Sequence, residues 1–96
     1  MMIPTSTIDS VLQEEDIEGL LNLGAPKDEY SQEAAEIHAA LEAIDENEAT
    51  SDQVAAVVMT VWEHSFGPFS PDDIQKRSPV LQQVVQRILD SRISLR

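Results

Sequence analysis

A chain of 96 residues with 42% hydrophobic content has room for one domain around one core and too little length for a large internal pocket. It has no cysteine, which excludes a disulfide framework, a thiolate zinc site, an iron–sulfur cluster and a cysteine nucleophile. The formal net charge is −12, and it is unevenly placed: Met1 to Asp73 carries 17 of the 18 acidic residues and one cation, Lys27, whereas Lys76, Arg77, Arg87, Arg92 and Arg96 follow with only Asp90, a balance that disfavours nucleic acid as a partner.

Glycine and proline divide the sequence into runs with helical periodicity. The first helix is predicted from Ser6 or Thr7 to Leu23, with Ile8, Val11, Leu12, Ile17, Leu20, Leu21 and Leu23 apolar and Gly24 as a left-handed cap. The step from Leu12 to Ile17 is five positions across Gln13-Glu14-Glu15-Asp16, and Gly19 weakens a helix by about 1 kcal/mol relative to alanine, so the middle of this helix, near Glu15, is its weak point. Ser31 is expected to cap a second helix in which Ala34, Ile37, Leu41 and Ile44 recur at spacings of three and four. That helix should fade across Asp45 to Glu48, where like charges crowd an end whose dipole already disfavours anions.

Thr50 and Gln53 match a capping box, and Val54, Val57, Val58, Val61 and Trp62 then form the cleanest apolar face in the chain. Four valines would also suit a strand, but the spacing and the cap favour a helix, the one expected to be buried deepest. Phe66-Gly67-Pro68-Phe69 reads as a turn. Ser70-Pro71-Asp72-Asp73 starts a short helix, and Ser78-Pro79 ends it and launches the last one, which runs through Val80, Leu81, Val84, Val85, Ile88 and Leu89 to about Ser94. The expectation is an all-α fold, a small bundle of four main helices with one short extra helix before the last, in a single domain over residues 1–96.

Candidate chemistry is sparse. His38 and Glu42 share a helix face at the i, i+4 spacing, but tetrahedral zinc needs at least three protein ligands and His64 lies on another helix, so neither a metal nor a cofactor is expected. A small metal-dependent hydrolase built on His38 and Glu42 is retained as the alternative function. Serines and threonines fall mainly at caps, where their oxygens belong to backbone amides, and no nucleophile elbow or phosphate loop is present. Trp62 continues the valine stripe and reads as core. The late cations are expected to complement the acidic helices within the monomer or between two copies, and Ile93 and Leu95 beyond the last turn hint at a homodimer.

The N-terminal Met-Met-Ile-Pro-Thr-Ser lacks the cationic stretch and apolar run of a signal peptide, and no segment approaches the roughly 18 apolar residues of a membrane span, so a cytoplasmic protein without membrane contact is expected. Leu20-Leu21-Asn22-Leu23-Gly24-Ala25-Pro26-Lys27-Asp28-Glu29-Tyr30, followed by the helix of Ile37 and Leu41 and by Trp62-Glu63-His64-Ser65-Phe66-Gly67, resembles small uncharacterised bacterial proteins of the YugE type. What that resemblance implies is an all-helical fold of about four helices. In size, acidity and helicity the chain is also similar to the immunity proteins that neutralise nuclease toxins, a likeness of architecture that carries no binding residue over.

Asp28, Glu29 and Tyr30 place two carboxylates and a phenol at one interhelical corner, a suitable contact for a cationic partner. The function expected from the sequence is a non-catalytic acidic module that binds a basic protein through that corner.

Overall fold

The computed structural model describes residues 1–45 and 49–94, the last three of these for their backbone alone. Four helices form: α1 (Thr5–Glu15), α2 (Ser31–Glu42), α3 (Ser51–Phe66) and α4 (Pro71–Ser94). Among the described residues there is no strand. Each helix packs on two neighbours, α1 and α3 both against α2 and α4, so the bundle closes as a ring around a shared core. No helix of the described residues is long and apolar enough to cross a membrane.

The core takes the apolar face of each helix: Ile8, Val11 and Leu12 from α1, Ala34, Ile37 and Leu41 from α2, Val54, Val58, Val61 and Trp62 from α3, and Leu81, Val84, Val85, Ile88 and Leu89 from α4. Ile3 and Met1 close one end, where the Met1 amino group donates to the Leu41 carbonyl at 2.9 Å and also to that of Ile44. In a ring no helix is central. Accordingly α3 is not the most deeply buried: Ala55, Ala56 and Thr60 on its outer face are exposed.

Helix starts follow the sequence signals closely. Thr50 Oγ1 accepts from the Gln53 amide at 3.2 Å while Gln53 Oε1 accepts from the Thr50 amide at 3.2 Å, completing the capping box of α3. Ser70 and Asp73 make the same reciprocal pair at the start of α4, at 3.2 and 3.1 Å. Ser31, by contrast, is the first helical residue of α2; the cap position falls to Tyr30, whose side chain makes no capping bond.

Two further expectations are corrected. The first helix ends at Glu15, because Asp16 adopts a left-handed conformation (φ 43°, ψ 57°) while its amide still bonds the Leu12 carbonyl at 2.9 Å. Residues 17–30 are turns, and Leu23, predicted on the apolar stripe, is 82% exposed. The short helix and the last helix are one, because α4 runs unbroken through Pro79. Proline removes one hydrogen bond to the carbonyl four residues back, that of Gln75. Both Gln75 and Pro79 are exposed, so water can serve that carbonyl while the buried face holds the helix on either side.

Gly67 ends α3 with its amide on the Glu63 carbonyl at 2.7 Å, and a Cβ there would stand 2.4 Å from that oxygen, so only glycine fits the turn. Glu46 to Glu48, the end of the stretch where α2 was predicted to fade, lie outside the described residues, as do Leu95, Arg96 and the side chains of Arg92 and Ile93.

Candidate functional site

The turns between α1 and α2 are tied down by two carboxylates. Asp16, freed from helical geometry, accepts from the Leu21 amide (3.1 Å), the Asn22 amide (3.0 Å) and the Tyr30 hydroxyl (2.7 Å). Glu18 reaches across to α3 and α4. Arg77 donates to it from Nε and Nη2, each at 2.7 Å, and Trp62 Nε1 donates to the same Oε2 at 2.8 Å. The Arg77 guanidinium lies 4.3 Å above the centre of the Phe69 ring. Below this lock Tyr30, Trp62 and Phe66 pack together, with ring centres 5.5 Å (Tyr30 to Trp62), 6.3 Å (Tyr30 to Phe66) and 4.9 Å (Trp62 to Phe66) apart.

These contacts set the titration of the lock. Burial pushes the Asp16 carboxyl up, but the Tyr30 hydroxyl and the backbone amides of Leu21 and Asn22 outweigh it, and the net position is below the ordinary 3.8. The Arg77 fork, opposed by burial and helped by the Trp62 donor, holds Glu18 below its ordinary 4.5. Burial first, then the bond to Asp16, pushes the Tyr30 phenol well above its ordinary 10. Both carboxyls bind protons more weakly folded than unfolded, so the stability they confer is complete above their unfolded values and drains as the pH falls through the depressed folded ones. Tyr30 has the opposite sign: its contribution is complete below its unfolded value of 10 and is lost as the pH rises toward the raised folded one. Urea unfolding between pH 2 and pH 11 should therefore give a plateau through neutrality with losses at both ends, below about pH 4.5 and above about pH 10. Glu18→Gln should flatten the acid limb, and Tyr30→Phe the alkaline one.

Two arginines of α4 are engaged inside the monomer. Arg77 serves Glu18, and Arg87 joins Glu14 at 2.9 Å and Glu15 at 3.1 Å. The acids of α1 and its following turn are thus partly neutralised, whereas those of the α2–α3 corner are not. There a pocket of about 470 Å³ opens between Asp28, Glu29, Gln32 and Glu33 on one side and His64, Ser65 and Phe66 on the other. None of Asp28, Glu29 and Glu33 has a cationic partner among the described residues. Next to the pocket Glu36 approaches His64 loosely, 3.8 Å from its Nδ1, and its Oε2 is buried without a hydrogen-bond partner.

Asp28 and Glu29, expected to meet a cationic partner, are exposed on the rim of this pocket. Tyr30 is not part of that surface: it is fully buried, with its hydroxyl directed at Asp16. Its place is taken by Glu33, 6% exposed, whose Oε2 accepts from Ser65 Oγ at 3.0 Å. The first turn of α2 favours an anion here, because the unpaired amides of a helix start carry partial positive charge.

The histidines are dispersed. His38 Nδ1 bonds the Ile3 carbonyl at 2.7 Å and its Nε2 contacts Glu42, so each ring nitrogen already faces an acceptor. His64 is 77% exposed on α3. Among the described residues no three side chains of the metal-binding kinds stand where they can share an ion, and His64 does not join the His38–Glu42 pair.

Sequence reasoning passed over Glu33, although Glu33, Ile37 and Leu41 share a spacing of four that places an acid on the buried stripe. Glu18 and Arg77 carried no such signal, since their meeting depends on packing between segments 59 residues apart. Comparison with protein-family models, with curated proteins and with solved structures finds no match for this chain.

Proposed function

We propose that this chain is a non-catalytic interaction module that docks a basic protein at the α2–α3 corner, with a toxin-immunity or inhibitor role as its most concrete form. One observation carries the reading: the arginines described on α4 neutralise acids of α1 and the turn after it, while Asp28, Glu29 and Glu33 line a shared pocket with no cation of their own. An uncompensated acidic concavity on a chain of net charge −12 steers cationic surfaces toward itself and repels polyanions.

The test is affinity capture from a lysate of the source organism with the intact protein as bait, in parallel with an Asp28→Lys/Glu29→Lys variant, at about one Debye length of 10 Å and again at about 8 Å. The expected result is a basic protein held by the parent at both salts and lost by the variant. Recovery of nothing, or of the same proteins by both baits, would remove the proposal.

A further inference from the structure

Resting on the docking role just proposed, we infer that the pocket between α2 and α3 seats one arginine side chain of the partner, with the Glu33 carboxylate as its anchor and the Phe66 ring as its apolar wall. Glu33 is the one buried residue of the lining. Its Oε2 is fixed by Ser65 at 3.0 Å, and its Oε1 has no hydrogen-bond partner among the described residues. A carboxylate held at one oxygen in the wall of a pocket keeps the other for a ligand, and a helix start offers it only about half an elementary charge. A full cation entering the pocket would complete it.

Two features select a guanidinium over an ammonium or a metal ion. Phe66 is half-buried beside the pocket and braced by Tyr30 and Trp62, so it offers a planar cation a rigid wall, whereas an ammonium is a strongly hydrated point charge that gains less from a ring face. The chain also contains a worked instance of the same recognition: Arg77 lies 4.3 Å over Phe69 and forks onto Glu18 with two bonds of 2.7 Å. Glu33 and Phe66 bring the same two group types, a carboxylate and a ring, to the lining of one pocket. A metal ion lacks its donors, since no group of three candidate ligands is assembled among the described residues.

The test is a titration of the intact, isotope-labelled protein with N-acetyl-arginine-N-methylamide, and separately with the lysine analogue, followed by amide and carboxyl NMR. Arginine is expected to shift residues 28–33 and 64–66 selectively and to bind several-fold more tightly than lysine. Glu33→Gln should weaken arginine binding about tenfold, as befits loss of a charge-assisted pair. Should Glu33→Gln fail to fold, Ser65→Ala and Phe66→Leu carry the test, each expected to weaken binding about threefold. Shifts spread equally over Glu14, Glu42 and Asp52, equal affinity for lysine, or indifference to the Ser65 and Phe66 variants would overturn the inference. Partner capture that is abolished by Asp28→Lys/Glu29→Lys but unaffected by Glu33→Gln would keep the docking role and discard the arginine seat. Selective arginine binding without any captured partner would do the reverse.

Discussion

Trp62→Ala is expected to destabilise the protein by about 3–5 kcal/mol, the largest effect of any single truncation here. The indole is fully buried, and it is the piece on which Tyr30 and Phe66 both rest. Its removal leaves a cavity between the α1–α2 turns and α3, strips two ring contacts and deprives Glu18 of a donor. Against a total stability of about 5–15 kcal/mol for a domain of this size, such a loss threatens folding outright. Trp62→Phe separates the contributions: it keeps an aromatic ring and loses the bond to Glu18, so it should cost clearly less than the alanine variant. Urea midpoints of the three proteins check this ordering, and equal midpoints for Trp62→Ala and the parent would contradict the packing described.

Arg77→Ala is expected to cost about 2–3 kcal/mol, less than a fully buried pair and more than a surface one. The side chains of Glu18 and Arg77 are 13% and 21% exposed, so removing the guanidinium strands a mostly buried carboxylate with Trp62 as its remaining side-chain donor. Stacking on Phe69 and the bond from Nη1 to the Asp73 carbonyl at 3.1 Å are lost as well. Arg77→Lys should restore only part of this, because a lysine cannot reproduce the two-pronged contact. If the damage comes chiefly from the stranded acid, Glu18→Ala/Arg77→Ala should be more stable than the sum of the single changes predicts, with a coupling of about 1–2 kcal/mol. A strictly additive pair would show that the two side chains act independently.

Both predictions bear on function through the same segment. The turns between α1 and α2 deliver Asp28 and Glu29 to the pocket rim, and they contain little regular structure to hold them there. Asp16 and Glu18 fasten the start of that segment, and the buried Tyr30 fastens its end. Variants that loosen the lock should therefore weaken docking at the corner without touching a docking residue.

The sequence by itself determined an all-helical chain, the capping box of α3, the Ser70 cap of α4 and the apolar stripes of α2, α3 and α4 that line the core, because these depend on spacing and on neighbours within one turn. It also marked Glu15 as a weak point, and the chain does turn there, through the left-handed Asp16. Only the tertiary structure decided that α4 passes through Pro79, that Tyr30 is buried, that Glu18 meets Arg77, and that Glu33 lines a pocket with Asp28 and Glu29. A proline's local penalty of about 3 kcal/mol can be overridden by packing on both sides of it, which no window of sequence contains. The charge pattern follows the same division: its asymmetry is written in the order of residues, but which acids are neutralised depends on how α4 lies against α1, and that is set by the core.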